Sequence, residues 1–162
     1  MFHEMRKNNR ALSYKKSIEI LKECQYGVLS SVDGDLQPYG VPLNYVVLDK
    51  DIFFHCADAG HKLHNIAVNH KVSFCVVRSC TVVPERFTTL FESAVVFGNA
   101  RLVHGYEKRK GLQGLIQKYC IDHLRSGEDY IDRLSDKTAV VKIHIDHITG
   151  KGNIIETFDN HN

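Results

Sequence analysis

The sequence predicts a mainly β fold of the α+β class, an antiparallel β-barrel with flanking helices. About six or seven short runs rich in β-branched and aromatic residues follow one another along the chain. Most of these runs are separated by tight turns, which connect antiparallel neighbours, rather than by the crossover helices that a parallel sheet needs. The dinucleotide-binding motif GxGxxG is also absent. A doubly wound parallel sheet is therefore excluded.

The first part of the chain is predicted to form an arm, a helix and two hairpins. The predicted elements are, in order, a polar N-terminal arm over residues 1–13, a helix over about 15–24, and strands over Tyr26–Val32, Pro38–Leu48 and Ile52–Cys56. Asp33-Gly34 is a two-residue hairpin signal, and Asp49-Lys50-Asp51 marks the turn of the second hairpin. Pro42 is expected to interrupt its strand, because proline has no N–H for the ladder.

The rest of the chain is predicted to combine three helices with longer strands. The elements are, in order, a short helix over about 61–68, a strand over Lys71–Arg78, an irregular connection over Ser79–Thr89, a strand over Phe91–Val103, a helix over Tyr106–His123, a short helix over Asp129–Leu134 and a strand over Ala139–Ile148. Gly98 is expected to mark a β-bulge or a close approach of two backbones. Residues 153–162 are expected to be a C-terminal tail, and the 162 residues to form one domain.

Composition and charge exclude several classes of function. The chain has 43% hydrophobic and 25% charged residues, as an ordinary globular protein does. Its net charge of +2, without a basic stripe, argues against nucleic-acid binding, and no apolar run reaches the roughly 18 residues that span a bilayer. The five cysteines form no CxxC pair, and the N-terminus lacks the apolar segment of a signal peptide. We therefore expect reduced thiols in a cytoplasmic protein.

Residues 40–66 carry the strongest indication of a binding site. After the second hairpin, the chain breaks at Ala57–Gly60 and begins a helix with His61 and Lys62 in its first turn. Free amides and a partial positive charge at a helix N-terminus, together with a lysine, are suited to hold a phosphate. Backbone groups freed around Pro42 could hydrogen-bond a flat heterocycle. The two features suggest a phosphorylated, planar cofactor, with a solvated surface lysine as the plain alternative.

Three histidines, His55, His61 and His64, lie close together in the sequence. Imidazole is a common ligand of zinc and haem, so a metal or haem site is one interpretation. However, the HExxH pattern and the paired cysteines of zinc sites are absent, and we expect surface or hydrogen-bonded histidines and no metal. Asn44 and Ser93 add an amide and a hydroxyl to predicted strands, each of which would also suit a half-exposed strand without function.

Four segments, taken in order, resemble one family. They are YGVLSSVDGDLQPYGVPLNYV, IFFHCADAGHKLHNI, VSFCVV and FESAVVFGNARLV. The pattern is similar to the pyridoxamine 5′-phosphate oxidase-related flavoproteins and most similar to their Nim-type branch, which is associated with 5-nitroimidazole resistance. The resemblance extends from about residue 4 to residue 152. Its most specific part is the GHK element after a strand that carries a histidine.

The resemblance implies a split β-barrel that forms a homodimer and binds FMN at the subunit interface. It implies cofactor contacts from Val41, Pro42, Leu43, Asn44, His61, Lys62 and Ser93. In this scheme Lys62 and His61 hold the phosphate, the Val41–Asn44 segment borders the isoalloxazine, and Ser93 completes the pocket from the other subunit. His55 or His61 would lie near the substrate as the catalytic histidine, and the resemblance does not decide between them.

The resemblance also implies the function. We expect an FMN-dependent oxidoreductase that passes electrons to a small organic acceptor, with a 5-nitroimidazole as a candidate. The protein would supply binding, orientation and electrostatics to the flavin. A non-enzymatic flavin- or haem-binding module is the alternative. Oxidation of a B6 vitamer ranks last, because the chain lacks the arginine-rich substrate motif near the C-terminus of the true pyridoxamine oxidases.

Overall fold

A computed structural model describes residues 2–154, which form one antiparallel eight-stranded sheet and four α-helices. The strands are β1 (Ala11–Leu12), β2 (Tyr26–Val32), β3 (Pro38–Asn44), β4 (Val46–Leu48), β5 (Asp51–Ala57), β6 (Lys71–Val83), β7 (Thr88–Val103) and β8 (Thr138–Asn153). The helices are α1 (Tyr14–Glu23), α2 (His61–Val68), α3 (Gly105–Tyr119) and α4 (Leu124–Leu134). None of the helices in this part of the chain is long and apolar enough to cross a bilayer.

The sheet curls into a half-barrel whose two ends meet without a hydrogen-bonded ladder. The strand order is β3-β2-β6-β7-β8-β5-β4, and β1 pairs with β8 beside this path. The two end strands, β3 and β4, are consecutive in the chain and are separated only by Tyr45. β3 also contacts β5, although the two strands do not pair. The molecule is therefore an antiparallel split β-barrel with flanking helices, and the predicted fold class is confirmed.

Two apolar clusters hold the fold together. The larger cluster fills the barrel and includes inward-facing residues of five strands and of α1 and α2, among them Ile20, Leu29, Phe54, Leu63, Phe74, Val96 and Ile143. The smaller cluster lies under α3 and consists of Val46, Phe53, Val103, Leu115 and Val140. β5 contributes to both because Phe53 and Phe54 point to opposite faces. Burial of each such side chain stabilises the fold by about 1.5–3 kcal/mol.

The first hairpin forms as predicted, but its turn is longer than the Asp33-Gly34 signal indicated. β2 has the predicted bounds and pairs with β3 from Tyr26–Asn44 to Val32–Pro38. The turn spans residues 33–37, and the Asp33 carboxylate accepts hydrogen bonds from the backbone N–H groups of Asp35 and Gln37, each at 2.9 Å. Leu36 takes the left-handed conformation, with φ of 66°. The side chain of Asp33 therefore stabilises a wider loop than a two-residue turn.

The prediction that Pro42 interrupts its strand is wrong. Pro42 pairs with Val28 in a ladder that is continuous along β3. It is tolerated because β3 is an end strand, which has a neighbour on only one side. The break falls at Tyr45 instead, whose buried side chain separates β3 from β4. The predicted single strand over Pro38–Leu48 is therefore two strands.

The predicted irregular connection over Ser79–Thr89 is also wrong. β6 continues to Val83 and β7 begins at Thr88, so the two strands form one long hairpin. Its turn contains the short 3-10 segment Pro84–Arg86 and Phe87 at φ of 49°. The β-branched residues on both sides of Pro84 favour strands, and proline at the turn does not need a ladder partner.

Gly98 marks both a bulge and a close approach, as predicted. The register between β7 and β8 shifts between Phe97 and Gly98. A Cβ at position 98 would overlap the backbone carbonyl oxygen of His144. The β7 strand can therefore reach its neighbour at this bend only with glycine.

Several helices and strands begin or end at other residues than predicted. The helix predicted over Tyr106–His123 is α3, which ends at Tyr119 and is followed by a 3-10 turn, and the one predicted over Asp129–Leu134 is the longer α4. The last strand extends beyond its predicted Ala139–Ile148 at both ends, because β8 pairs with β5, β7 and β1 along its length. The N-terminal arm contains a 3-10 turn and β1. Of the predicted tail, residues 155–162 lie outside the described residues.

Candidate functional site

The N-terminus of α2 forms the centre of the candidate site. Gly60 precedes the helix with φ of 135°, a conformation that other residues rarely adopt. Its carbonyl oxygen accepts the first helical hydrogen bonds, from the N–H groups of Leu63 and His64, each at 3.1 Å. Among the described residues, no side chain caps the helix. The amides of His61 and Lys62 at the first two helical positions thus have no intrahelical acceptor, and they can bind an anion.

Lys62 brings a positive charge to this helix end. Its side chain is half-buried, and among residues 2–154 it makes no ion pair or hydrogen bond. Burial raises the pKa of the Cys56 thiol, and the nearby ammonium group of Lys62 opposes part of that shift. Lys62 therefore lies close to Cys56, near the end of β5. A half-buried ammonium group without a carboxylate partner is suited to a phosphate.

Tyr39 of β3 connects the first hairpin to this helix end. The Tyr39 ring lies 4.1 Å from the imidazole of His61, centroid to centroid, at an interplanar angle of 33°. β3 thereby reaches the start of α2, and the structure brings His61 and Lys62 to the end strand that carries residues 41–44. Tyr39 was not among the residues identified from the sequence. Its alternation with Val41 and Leu43, which pack against the barrel core, could have placed it on the same face.

A second contact between the hairpin and α2 involves Ser31 and Asn65. Both side chains are buried, and the Asn65 amide donates a hydrogen bond of 3.1 Å to the Ser31 hydroxyl. The Asn65 carbonyl oxygen is buried and has no hydrogen-bond partner within the described residues. Buried polar atoms without a partner are uncommon in folded proteins. Sequence reasoning missed this pair, because the two residues are 34 positions apart.

The residues expected to border the isoalloxazine lie on β3. Because this strand pairs only with β2, half of its backbone N–H and C=O groups face away from the ladder. Val41 and Leu43 pack against the barrel core, while Pro42 and Asn44 are exposed on the other face. The Asn44 amide donates a hydrogen bond of 2.9 Å to the carbonyl oxygen of Gln25. Asn44 therefore supports the start of β2 as well as the end of β3.

Ser93 lies on a different part of the sheet. It is half-buried in β7, which is separated from β3 by β2 and β6. Its hydroxyl donates a long hydrogen bond of 3.4 Å to the carbonyl oxygen of Lys151. The fold does not place Ser93 beside β3 in the same chain. The role implied by the resemblance, in which Ser93 acts from the partner subunit, stays a prediction.

The structure gives the three histidines different surroundings. His61 packs against Tyr39, and His64 is exposed on α2. His55 lines a cavity of about 350 Å³ beneath α3 and α4, on the face of β5 opposite to Cys56. Desolvation by the surrounding wall lowers the pKa of His55, although one side of the residue faces solvent. Within residues 2–154, no group of three or more histidine, cysteine or acidic side chains is arranged to hold a metal ion.

The comparison with known protein families agrees with this fold. The family described as pyridoxamine 5′-phosphate oxidase matches residues 13–152, which is most of the chain. The protein belongs to the pyridoxamine 5′-phosphate oxidase family. A search of curated proteins finds no match.

Solved structures with the same fold include proteins of several descriptions. A candidate 5-nitroimidazole antibiotic resistance protein from Bacteroides thetaiotaomicron is 21% identical, with a TM-score of 0.75 over 87% of this chain and 85% of that chain. A conserved hypothetical protein from Mycobacterium tuberculosis is 17% identical, with a TM-score of 0.78 over 92% and 90%. An FAD-binding protein from Mesorhizobium loti is 24% identical, with a TM-score of 0.64 over 90% and 98%. At these identities the likeness is one of fold.

Proposed function

We propose that this protein binds FMN and acts as an FMN-dependent oxidoreductase that reduces a small organic acceptor, with a 5-nitroimidazole as the candidate substrate. The observation that carries the proposal is the uncapped N-terminus of α2 beside the half-buried, unpaired ammonium group of Lys62. Membership of the pyridoxamine 5′-phosphate oxidase family supports a flavin as the ligand. The description of one structural neighbour as an FAD-binding protein gives further support.

The residues at this helix end fit a phosphate monoester. The backbone N–H groups of His61 and Lys62 would donate hydrogen bonds to the phosphate oxygens, and the Lys62 ammonium would neutralise their charge. The space beside Gly60 is open, since no heavy atom lies within 4 Å of the position that a Cβ would take there, so a phosphate could reach these amides. Tyr39 would keep the His61 ring in place by packing against it. His61 is thus assigned to the phosphate side of the site.

The free edge of β3 fits the flat part of the cofactor. Because Pro42 has no N–H, its pairing with Val28 places the hydrogen bonds to β2 at Val41 and Leu43. The backbone groups of Gly40 and Asn44 and the carbonyl oxygen of Pro42 therefore face the free edge and would bond the cofactor, and the Pro42 ring would provide an apolar surface beside them. When bound, FMN supplies the electron transfer, which the side chains of the protein cannot perform. The protein would supply the orientation of the flavin and the electrostatic environment of its phosphate.

A homodimer would complete this site. The outer face of β2, β6 and β7 exposes the apolar side chains of Tyr26, Val28, Val77 and Phe97, at 64%, 37%, 54% and 38% of their full areas. The register between the strands places these four residues on one face, together with Ser93. A contiguous apolar surface of this kind is typical of an interface. A second copy on this face would cover it and would bring its own Ser93 towards a neighbouring site.

The test begins with the visible spectrum of the freshly purified protein and with an FMN titration of the flavin-free form. We expect FMN to bind with loss of its fluorescence. Lys62→Met should weaken this binding roughly tenfold or more, since a charge-assisted hydrogen bond contributes about 1.5–3 kcal/mol. Lys15→Met is the matched control, because Lys15 is exposed on α1, which packs mainly against β6, β7 and β8. A protein that takes up no FMN would contradict the proposal.

The substrate requires a separate measurement. Under anaerobic conditions, the FMN-loaded protein with a chemical reductant should reduce metronidazole faster than free FMN does. A yellow protein that binds FMN but gives no such acceleration would contradict the proposal that a nitroimidazole is the substrate. The proposal that FMN is the cofactor would still stand. A Soret band on titration with haem, lost in His64→Ala, would favour a haem-binding module instead.

A further inference from the structure

The hydroxyl group of Tyr119 lies at the end of the β2–β3 ladder. The last paired residues at this end are Tyr26 and Asn44, and the next pair in the same register would be Gln25 and Tyr45. The Tyr119 hydroxyl accepts a hydrogen bond of 3.0 Å from the backbone N–H of Tyr45, and the carbonyl oxygen of Gln25 lies within hydrogen-bond distance of it as an acceptor. A side chain of α3 therefore takes the place of the next backbone hydrogen bond of the ladder.

The bond from Tyr119 fixes the direction of the Asn44 carbonyl group. The Asn44 carbonyl and the Tyr45 N–H belong to one peptide unit, which is trans, so the two groups point in opposite directions. Because the N–H points to Tyr119 on the β2 side, the carbonyl oxygen points to the free edge of β3. The ladder agrees, since hydrogen bonds to β2 at Val41 and Leu43 leave the backbone groups of Asn44 outside it. The free edge of β3 thus ends in a carbonyl group of fixed orientation.

Further contacts hold the same corner of the chain. The carbonyl oxygen of Tyr45 lies 2.7 Å from the Tyr119 hydroxyl, and it also accepts a hydrogen bond from the ammonium group of Lys118. The Tyr45 ring is fully buried, and its own hydroxyl donates a hydrogen bond to the carbonyl oxygen of Leu21. Hydrogen bonds between buried groups are stronger than those in water. The corner between β3 and β4 is therefore held both from α1 and from α3.

We propose that Tyr119, supported by Lys118, is a positioning residue for the flavin: it holds the Asn44 carbonyl oxygen in the direction in which this oxygen accepts a hydrogen bond from the N3–H group of the isoalloxazine. This inference rests on the proposed FMN site and deepens it. N3 carries the single N–H group of the oxidised ring system, and a carbonyl oxygen at the free edge is its complementary acceptor. Neither side chain touches the flavin in this arrangement, and both act through the Asn44–Tyr45 peptide.

A pair of flavins tests the inference. 3-Methyl-FMN has a methyl group in place of the N3 hydrogen and is otherwise identical to FMN. The wild-type protein should bind FMN at least about tenfold more tightly than 3-methyl-FMN, as measured by the quenching of flavin fluorescence. Tyr119→Phe removes only the hydroxyl group. It should weaken the binding of FMN several-fold, leave that of 3-methyl-FMN nearly unaffected, and reduce the preference for FMN to roughly threefold or less.

The preference for FMN separates positioning from a purely structural role. If the Tyr119 hydroxyl only stabilised the fold, its loss would weaken both flavins by the same factor and leave the preference unchanged. Tyr106→Phe is the matched control, because Tyr106 lies at the other end of α3 and is 82% exposed. Both affinities should stay at their wild-type values in this control. An unchanged preference in Tyr119→Phe, or no preference in the wild-type protein, would overturn the inference.

Lys118→Met is a second variant, which keeps the Tyr119 hydroxyl and removes the other hydrogen bond to the Tyr45 carbonyl. The preference for FMN should fall in the same direction by a smaller factor, about two- to threefold. If Tyr119→Phe does not fold, an unchanged preference in Lys118→Met overturns the inference in its place. A wild-type protein that takes up neither flavin would contradict the proposed function itself. FMN binding with an unaltered preference in the variants would contradict only the positioning role.

Discussion

The ammonium group of Lys118 lies 4.1 Å from the centre of the Tyr45 ring and donates a hydrogen bond of 3.0 Å to the carbonyl oxygen of the same residue. Tyr45 is the residue at which the barrel splits, because it separates β3 from β4. Lys118 also donates a hydrogen bond of 2.7 Å to the carbonyl oxygen of Cys24, at the end of α1. One side chain of α3 thereby connects the strand break to α1. Burial lowers the pKa of Lys118 to about 8.

The lowered pKa of Lys118 predicts a pH-dependent contribution to stability. Between about pH 8 and the ordinary value of 10.5, the unfolded chain keeps the proton that the folded protein has lost. The unfolded state then binds more protons, so this group stabilises the fold progressively as pH rises through the window. The difference in unfolding free energy between the wild-type protein and Lys118→Met should therefore rise by about 2 kcal/mol from pH 8 to pH 10.5. This figure is smaller than the full pKa shift would give, because solvent screens a half-buried group.

The measurement is a series of urea denaturation curves for both proteins at several pH values. Because Cys24, Tyr45 and Tyr119 face Lys118 and also titrate at high pH, only the difference between the two curves is interpreted. Lys15→Met, at an exposed position, should give a difference that does not change with pH. A flat difference for Lys118→Met as well would contradict the prediction.

Arg78 is predicted to be the most important cation for stability. It donates hydrogen bonds to the carboxylates of Glu92, Glu23 and Glu19, and Glu92 is 9% exposed. Arg78→Met would leave the Glu92 carboxylate in a poorly solvated place without its partner, which should lower the unfolding free energy by about 2–4 kcal/mol. Arg101→Met, at an exposed ion pair, should stay close to the wild-type value. The double variant Arg78→Met/Glu92→Gln should regain part of the lost unfolding free energy, because it no longer has an unpaired carboxylate. If the double variant is no more stable than Arg78→Met, the loss comes from packing and not from charge.

The sequence identified the elements whose signals are local. The bounds of β2 and α2 are as predicted, because the alternation of β2 and the glycine before His61 are properties of short segments. The bulge at Gly98 could also be predicted, since a glycine inside a strand often marks a bulge or a close approach of two backbones. The prediction that Pro42 interrupts its strand was wrong for a non-local reason. A proline is tolerated in a strand at the end of a sheet, and only the strand order shows that β3 is such a strand.

The candidate site was predictable only in part for the same reason. His61, Lys62 and the 41–44 segment were recognised from their order in the sequence. The Tyr39–His61 contact and the Asn65–Ser31 hydrogen bond depend on how α2 packs against the first hairpin. The cavity at His55 depends on α3 and α4, more than 50 positions later in the chain. No local pattern contains such distances, and the resemblance to a family does not specify them.

Gly98 provides a direct test of the bend in β7. Gly98→Ala would drive a methyl group into the carbonyl oxygen of His144, so one of the two strands must move. We expect the unfolding free energy to fall by at least about 2 kcal/mol. Gly34→Ala is the control, because the nearest atom to an added Cβ there is 3.9 Å away. If both variants unfold at the same denaturant concentration, the close approach at Gly98 is not a constraint.

Val77 tests the proposed dimer, because it is 54% exposed on the apolar face of β2, β6 and β7. Val77→Glu would place a charge on each side of an interface, where it would lose its water without gaining a partner. We expect light scattering after size exclusion to give a dimer for the wild-type protein and a monomer for the variant. Leu102→Glu, which is 43% exposed elsewhere on β7, should remain a dimer.

Because the FMN site is proposed to lie at the interface, Val77→Glu should also bind FMN more weakly while its unfolding free energy stays near that of Leu102→Glu. A wild-type protein that is monomeric with FMN bound would contradict the dimer and leave the phosphate cradle at α2 intact.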